Sequence, residues 1–397
     1  MTRVVFLTET EGWGGTEVNT LGVIEALAAA GHEVTNVQVG HDTYRQLGPA
    51  PVGQYRTESV PVAPYGNLRH PPLGWWVRLL RPLRPDVVVL SKGAFDLYSL
   101  SLDVAARAVA RRYVVMEHHP VPPLPPRASR RHLGGLVPGL GLWWWRHHGV
   151  TEVRGRVHVA ASHRVITDSR FVTDLLVRRY GLSRRKTFLV PCGVDPATFR
   201  FRADARAELR TQWGIPADAL VVGSVGRLEH VKAPDRAVRA FADVRRRLPD
   251  DDLRLLLAGT GSQLEPVRAL AAELGVADRL VTPGFVPAAA AALTALDIYM
   301  MPSREEGLGI ALLEAMACER ACVAMHSGGP GDILTAPTLG WLTPPDDEPA
   351  FADALLSAAR VGPAARAAMG QAARAHVDAH FNVARQVGRM AELIVTA

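Results

Sequence analysis

Short apolar segments that alternate with longer, alanine-rich helical patterns limit this chain to few folds. The first half contains RVVFLT, EVTNVQV, DVVVLS, YVVMEH, RVITDS and TFLVPCG, and the second half contains LVVGSVG, RLLLAG, LVTPGF, IYMMPS and ACVAMH. Continuous apolar strands separated by helices are typical of parallel sheets that are buried on both faces. Because single cores stop growing at roughly 250–300 residues, a chain of 397 residues predicts two doubly wound α/β domains.

The join between the two domains is expected in the segment VPCGVDPATFRFRADARAELR, where a strand gives way to Gly and Pro turn residues. We predict a Rossmann-like, acceptor-binding N-terminal domain over residues 1–195 and a Rossmann-like, nucleotide-sugar-binding C-terminal domain over residues 196–377. The last helix, at about 378–397, is expected to pack back on the first domain.

Composition and charge exclude several classes of protein. Hydrophobic residues make up 48% of the chain and charged residues 21%, as in globular proteins and unlike disordered chains. The net charge of +6 comes without a nucleic-acid-binding motif, so nucleic acid is not an expected partner. The three cysteines, Cys192, Cys318 and Cys322, lack metal-binding spacing, and we expect no metal.

The chain shows no pattern of export or membrane insertion. The first apolar run, VVFL, is too short for a signal peptide core. No window approaches the roughly 18 apolar residues that a membrane span needs. We therefore expect a cytoplasmic protein, with peripheral contact to the inner membrane face as an open alternative.

Residues 120–149 depart from the α/β pattern because they are rich in Pro and Gly and then in basic and aromatic residues. The segment predicts a loop followed by a helix that packs Trp143, Trp144 and Trp145 against the domain. Two alternatives stay open: a lid over an acceptor site, and a basic-aromatic patch that contacts a membrane surface.

Charged and glycine residues follow the predicted strands of the second half. In open α/β sheets, ligands bind beyond the carboxyl ends of the strands. Arg227 and Lys232 follow LVVGSV and can neutralise a diphosphate. Gly259 and Gly261 follow RLLLAG and allow backbone N–H groups to approach an anion at a helix start.

The segment REEGLGIALLEAMACE, residues 304–319, places two carboxylates around a Gly-x-Gly turn. Gly307 and Gly309 predict that Glu306 lies in a loop and that Glu314 lies in the following helix. Carboxylates accept hydrogen bonds from vicinal sugar hydroxyls, and the helix start suits phosphate. The combination points to a nucleotide sugar; the alternative is an ordinary loop acid and a partnered acid in an apolar helix.

Taken together, these motifs resemble the retaining glycosyltransferases of family 4, also called glycosyl transferases group 1. The resemblance covers nearly the whole chain and includes GGTE, VITDS, VPCGVD, GRLEHVK, AGTG, MPSREEGLGIALLEAMA and SGGPGDIL. It implies the GT-B architecture, two facing Rossmann-like domains with the active site in the cleft between them. The chain departs from the family pattern at Ala233, Pro234, Glu319 and Ala321, which puts local turn geometry in doubt, and at Asp332, where Glu is common.

The resemblance also implies roles for individual residues. Arg227 and Lys232 would bind the donor diphosphate, Glu306 the donor sugar and Glu314 the ribose. A histidine at the end of a first-domain strand would line the reaction centre, either His118 or His119, with His118 favoured. The implied catalytic set is His118, Arg227, Lys232 and Glu306. The implied donor-binding set is Gly14, Gly15, Gly226, Arg227, Lys232, Gly259, Gly261, Val286, Glu306, Gly307, Leu308, Gly309, Ile310 and Glu314.

The expected reaction is transfer of a hexosyl or N-acetylhexosaminyl group from a nucleoside diphosphate sugar to an acceptor hydroxyl, with retention and without cofactor or metal. The acceptor is a small molecule, a glycan or a lipid-linked glycan. A uridine donor is favoured because the loop VPAAAAALTAL has no acid before Asp297 to read guanine. Two alternatives are a nucleotide-sugar epimerase of GT-B architecture and a non-catalytic sugar-nucleotide-binding protein.

Overall fold

The computed structural model describes residues 1–8, 15–39, 55–60, 71–92, 99–118 and 150–396. They form two compact units, Met1–Pro191 with Gln386–Ala397, and Cys192–Arg385. The predicted roles of residues 1–195 in acceptor binding and 196–377 in donor binding stay predictions. Among the described helices, none combines the length and apolarity that crossing a membrane requires.

The first unit is built on a seven-stranded sheet in the order β3-β2-β1-β4-β5-β6-β7, with every adjacent pair parallel. Its strands are β1 (Arg3–Thr8), β2 (Glu33–Val39), β3 (Tyr55–Val60), β4 (Val87–Lys92), β5 (Arg112–Glu117), β6 (Arg164–Thr167) and β7 (Thr187–Leu189). The described helices between them are α1 (Gly15–Ala29), α2 (Leu73–Leu80), α3 (Leu100–Val109), α4 (Val150–Ala161) and α5 (Arg170–Tyr180).

The second unit is built on a six-stranded sheet in the order β10-β9-β8-β11-β12-β13, again parallel throughout. Its strands are β8 (Leu220–Val225), β9 (Leu253–Ala258), β10 (Leu280–Gly284), β11 (Ile298–Met301), β12 (Ala321–Met325) and β13 (Trp341–Thr343). Its helices are α6 (Ala203–Gln212), α7 (Pro234–Arg247), α8 (Leu264–Glu273), α9 (Ala289–Ala295), α10 (Ile310–Ala317), α11 (Pro330–Ile333), α12 (Glu348–Arg360) and α13 (Pro363–His380).

Alternate residues of the second unit's strands enter two separate cores, which explains why the strands are apolar without interruption. Tyr299 and Met301 of β11 pack in one core, and Ile298 and Met300 pack in the other. Each face of the sheet is therefore covered by helices. The predicted fold class, α/β with two doubly wound parallel sheets, is confirmed.

The last helix, α14 (Val383–Val395), contributes its residues from Gln386 onward to the first unit. Met390 of this helix is fully buried and accepts a hydrogen bond at its sulfur from Asn19 Nδ2 at 3.4 Å. Arg112 donates to the Val395 carbonyl at 2.8 Å. The chain thus returns to the unit in which it began.

Candidate active site on the second unit

The strand order of the second sheet reverses between β8 and β11. From β8 the chain moves outward to β9 and β10, and it then returns to place β11 on the other side of β8. Such a reversal opens a crevice at the carboxyl ends of the two strands, where ligands bind in doubly wound sheets. Arg227 and Lys232 follow β8, and Ser303 and Glu306 follow β11, so the topology brings the predicted donor-binding loops together.

Lys232 and Glu306 meet directly in this crevice. Lys232 Nζ lies 2.7 Å from Glu306 Oε1 and 2.9 Å from Oε2, and Ser303 Oγ donates to Oε1 at 2.8 Å. The Glu306 side chain is 7% exposed, whereas that of Lys232 is 35% exposed. The carboxylate is therefore fixed by its neighbours, and the ammonium keeps a solvent-accessible side for a second anion.

Arg304 cross-links the two loops that carry Lys232 and Glu306. Its guanidinium binds both oxygens of Asp235, at 3.0 and 2.8 Å, and donates to the His230 carbonyl at 2.8 Å. Its backbone N–H donates to the Val231 carbonyl at 2.8 Å. Burial raises the pKa of Asp235, but hydrogen bonds from Arg304 and Arg239 outweigh burial and hold that pKa well below its ordinary value.

Arg304 and Asp235 were not singled out in the sequence, because their pairing joins residues 69 positions apart. The only available signal was the position of Arg304 between the strand end and Glu306. A bidentate arginine–carboxylate pair is a rigid connection, so Arg304 holds the loop of Glu306 against the loop of Lys232.

The turn after Lys232 adopts a left-handed conformation without glycine. Ala233 has a φ of +51°, and Pro234 then begins α7. A side chain in this region costs about 1–2 kcal/mol. Ala233 therefore makes this turn more costly than a glycine would. Glu319, which follows α10, also has a left-handed backbone, with a φ of +60°.

The loops after β8 and β9 touch backbone to backbone. Gly259 has a φ of +148°, and a Cβ there would lie 1.8 Å from the Gly226 carbonyl oxygen, so no other residue fits. Glu229 accepts hydrogen bonds from the backbone N–H and the hydroxyl of Ser262, at 3.1 and 2.6 Å. The predicted phosphate-binding loops are therefore held next to each other.

Arg227 differs from the other arginines of this region. It is exposed, and within the described part of the chain no hydrogen bond or ion pair of its guanidinium is found. An arginine held at a crevice with its fork open is suited to a phosphate or carboxylate ligand.

Gly309, which has a φ of +99°, precedes the first residue of α10, and no side chain among the described residues caps the first turn of this helix. Leu312 N–H already donates to the Gly309 carbonyl at 2.9 Å, so the N–H groups of Ile310 and Ala311 are the ones suited to an outside acceptor. Glu314 lies one turn further along and is half-buried. Burial raises the pKa of Glu314 to about 7.

The remaining predicted donor-binding residues of this unit take different positions. Leu308 is 2% exposed and packs in the core with Ile310 and Val286 beside it, so its side chain supports the loop and only its backbone can contact a ligand. The Gly307 backbone packs closely against Gly329, because a Cβ added at Gly329 would lie 2.3 Å from the Gly307 carbonyl oxygen. Gly261, like Gly259, has a positive φ.

In the first unit, His118 lies at the end of β5, where the sequence predicts a catalytic histidine. His118 Nδ1 is 3.7 Å from Asp168 Oδ2, and both side chains are 3% exposed. Burial raises the pKa of Asp168, and the neighbouring His118 counteracts part of that rise. Gly15 begins α1. Gly14, His119 and residues 120–149, with Trp143, Trp144 and Trp145, lie outside the described residues.

Two family models match the chain. The model described as Glycosyltransferase Family 4 matches residues 13–198, and the model described as Glycosyl transferases group 1 matches residues 205–376. The two matches follow the two units and together cover most of the sequence. The chain belongs to the family 4, group 1 glycosyltransferases, and the resemblance drawn from its motifs is confirmed.

Similar curated proteins include a D-inositol 3-phosphate glycosyltransferase of Saccharomonospora viridis, 37% identical over 238 residues, or 57% of this chain and 54% of the relative. A GDP-mannose-dependent alpha-(1-6)-phosphatidylinositol monomannoside mannosyltransferase of Mycolicibacterium smegmatis is 33% identical over 235 residues, or 57% of this chain and 60% of the relative. The chain spans about half the length of the curated relatives it matches.

Solved structures match over the whole chain. Anabaena Alr3699/HepE in complex with UDP and glucose has a TM-score of 0.78 at 18% identity, covering 99% of both chains. WaaG, a glycosyltransferase involved in lipopolysaccharide biosynthesis, has a TM-score of 0.74 at 18% identity, covering 99% of this chain and 100% of the other. At these identities the likeness shows the fold, which is the predicted two-domain GT-B fold.

Proposed function

We propose that this protein transfers a hexosyl or N-acetylhexosaminyl group from a nucleoside diphosphate sugar to an acceptor hydroxyl, with retention of the anomeric configuration. The observation that carries the proposal is the crevice between β8 and β11. There the fixed Lys232–Glu306 pair lies in loops next to Arg227 and Glu314, which have no described side-chain partner. Two cations and two acids in that arrangement match a diphosphate flanked by two sugars.

In this proposal each residue meets one part of the donor. Arg227 and Lys232 bind the diphosphate and stabilise the negative charge that grows on it as the glycosidic bond breaks. The uncapped first turn of α10 adds N–H donors and the positive end of the helix dipole. Glu306 accepts from donor-sugar hydroxyls, and Glu314 accepts from the ribose. Since the two cations already supply positive charge, we propose that no metal ion is needed.

Retention can proceed through a covalent intermediate or through attack on the same face that the leaving group departs from. The first route needs an unencumbered carboxylate nucleophile. Glu306 receives hydrogen bonds from Lys232 and Ser303, which reduce its nucleophilicity. We therefore favour the second route, in which the leaving diphosphate oxygen accepts the acceptor proton.

The donor base is proposed to be uracil. Residues 285–288, which follow β10, contain no acid to pair with guanine, and the structural neighbour HepE was solved with UDP. The GDP-mannose-dependent relative of M. smegmatis makes guanosine the competing donor. Named relatives that act on D-inositol 3-phosphate make a cyclitol phosphate the first acceptor to try, before glycans and lipid-linked glycans. We place the reaction in the cytoplasm or at its membrane face.

Thermal unfolding in the presence of UDP-, GDP- and dTDP-sugars tests the donor proposal. A ligand at about 100 times its dissociation constant adds about 2.7 kcal/mol to the folded state, so the true donor class stands out. UDP-sugars should stabilise the wild type and stabilise Arg227→Ala much less. Stabilisation by GDP-mannose alone would replace uridine with guanosine in the proposal.

Turnover with and without an acceptor separates the proposal from its alternatives. An epimerase converts its nucleotide sugar without any acceptor, and a binding protein converts none. Transfer that requires the acceptor and survives EDTA supports a metal-independent transferase. In the same assay, His118→Ala and His119→Ala should differ, with His118→Ala the more impaired. Equal activity of both variants would remove histidine from the mechanism.

A further inference from the structure

A cleft of about 380 Å³ opens on the second unit, away from the crevice described above. Its walls include Leu220, Asp297 and Arg320, which stand at or just before the amino ends of β8, β11 and β12. The donor-binding loops follow the carboxyl ends of the same parallel strands. The cleft therefore lies at the opposite edge of the sheet, and no role proposed above uses it.

Three arginines line this cleft, on three different elements: Arg206 on α6, Arg320 before β12 and Arg366 on α13. Arg206 pairs with Asp297. Among the described residues, Arg320 donates to the carbonyls of Cys318 and Leu296, each at 2.8 Å, and to no other group.

Within the part of the chain that the structure describes, Arg366 likewise donates only to carbonyls, those of Ala358, Ala359 and Val361 at the end of α12. All three hydrogen bonds of Arg366 are donated by its Nη1, whereas Arg320 donates from Nε and Nη1. The Nη2 groups of Arg320 and Arg366 therefore have no described partner, and no described carboxylate lies within ion-pair distance of either guanidinium.

The carboxylates of this edge form no ion pair with Arg320 or Arg366 among the described residues. Asp297 is already engaged by Arg206, by Arg210 at 2.8 Å and by the Val221 N–H at 2.8 Å. Asp218 and Glu319 also line the cleft, and neither forms an ion pair within the described chain. Desolvation and the nearby Arg206 lower the pKa of Arg320 to about 10, and Asp297 and Glu319 counteract part of that change.

We propose that this cleft binds a small phosphate-bearing molecule, with the open guanidinium edges of Arg320 and Arg366 on the phosphate. Guanidinium forks match phosphate oxygens geometrically. The ring of Phe201 lies 4.6 Å from the Arg320 guanidinium carbon and fixes the orientation of that side chain. The volume falls at the lower end of the roughly 300–1,000 Å³ of small-molecule sites, so a compact ligand fits.

The test adds a negative charge to the wall of the cleft and leaves the arginines in place. Ala367 lines the cleft and is exposed on α13, while Ala368 is exposed next to it and does not line the cleft. Ala367→Glu is compared with Ala368→Glu, both in an Arg227→Ala, Lys232→Ala background that removes the two cations proposed to bind the donor diphosphate. Inorganic phosphate and pyrophosphate are titrated by calorimetry and thermal unfolding, against sodium chloride of equal ionic strength.

The proposal expects saturable binding of phosphate or pyrophosphate in the background protein and in Ala368→Glu. It expects a dissociation constant at least about tenfold higher in Ala367→Glu, a change of about 1.4 kcal/mol. Arg366→Gln should weaken binding to a similar degree. Absence of saturable binding in the background protein, or equal affinity in Ala367→Glu and Ala368→Glu, would overturn the proposal.

Discussion

The two edges of the second sheet use the same residue types in different ways. At the amino edge, Asp297 is surrounded by Arg206, Arg210 and a backbone N–H. Burial raises the pKa of Asp297, and the two arginines more than reverse the change, so the net pKa is lowered. At the carboxyl edge, Glu314 has no described partner for its side chain, and burial raises its pKa to about 7.

The difference separates carboxylates that hold the fold from carboxylates that await a ligand. A buried charge with a full set of partners is stable in place, whereas a desolvated carboxylate without partners is costly and marks a functional site. The carboxyl edge contains both kinds, because Asp235 is bound by Arg304 and the Glu314 side chain has no partner among the described residues.

Asp297→Ala should give the largest effect on stability. Removing one partner of a buried ion pair costs about 3–5 kcal/mol, because Arg206 and Arg210 would lose their counter-charge. Urea denaturation measures the loss. The control is Asp218→Ala, an exposed acid of the same edge, which should change stability by less than about 0.5 kcal/mol. If Asp297→Ala and Asp218→Ala were equally stable, Asp297 would not be a carboxylate that holds the fold.

Arg227→Ala should give the opposite profile, with an unchanged unfolding curve and a large loss of activity. Deleting one preorganised donor to a developing negative charge typically lowers the rate about 100-fold or more. Arg360→Ala removes an exposed arginine at the end of α12 and should keep full turnover. If Arg227→Ala keeps near-full turnover, the diphosphate binds elsewhere.

Arg304→Gln and Asp235→Asn test the cross-link between the two donor loops. Each variant should lower the rate by about tenfold, equivalent to about 1.4 kcal/mol, because Lys232 and Glu306 lose their fixed separation. The double variant should be no worse than either single one, since both remove the same pair. Additive losses, or losses in stability alone, would show that the pair does not position the site.

Glu314→Gln tests the pH dependence that the unpartnered acid introduces. The folded state raises the pKa of Glu314 from 4.5 to about 7. The contribution of Glu314 to the free energy of unfolding is therefore fully present below about pH 4.5 and is lost as the pH rises through about 7. Between about pH 5 and about pH 8, the melting temperature of the wild type should fall by about 5–10 °C relative to Glu314→Gln, the change expected for about 2.5 kcal/mol. The control is Glu265→Gln, which replaces an exposed acid on α8. Its melting temperature should change with pH in parallel with that of the wild type.

Much of the fold was accessible from sequence because the strands are continuous apolar runs. The missed strands were β3, YRTESV, and β13, WLT. The first is largely polar and the second has three residues, so neither gives a hydrophobic signal. The site loops were also predictable, since Arg227, Lys232 and Glu306 follow strands that become neighbours.

Contacts between those loops could not be predicted. The pairing of Lys232 with Glu306 joins residues 74 positions apart, and the Arg304–Asp235 connection spans a similar separation. Asp168 lies within the VITDS motif, and nothing in that motif indicates its position 3.7 Å from His118. In each case the residue type was visible in the sequence, while the partner was set by the order of the strands.

Proton NMR of the anomeric region during turnover of a UDP-hexose with a cyclitol phosphate acceptor tests the central claim most directly. A retaining transferase with its donor site at the carboxyl edge should yield a product with the same anomeric configuration as the donor. That signal should appear at least about 100 times more slowly in Arg227→Ala. An inverted product, or equal rates for the wild type and Arg227→Ala, would contradict the account.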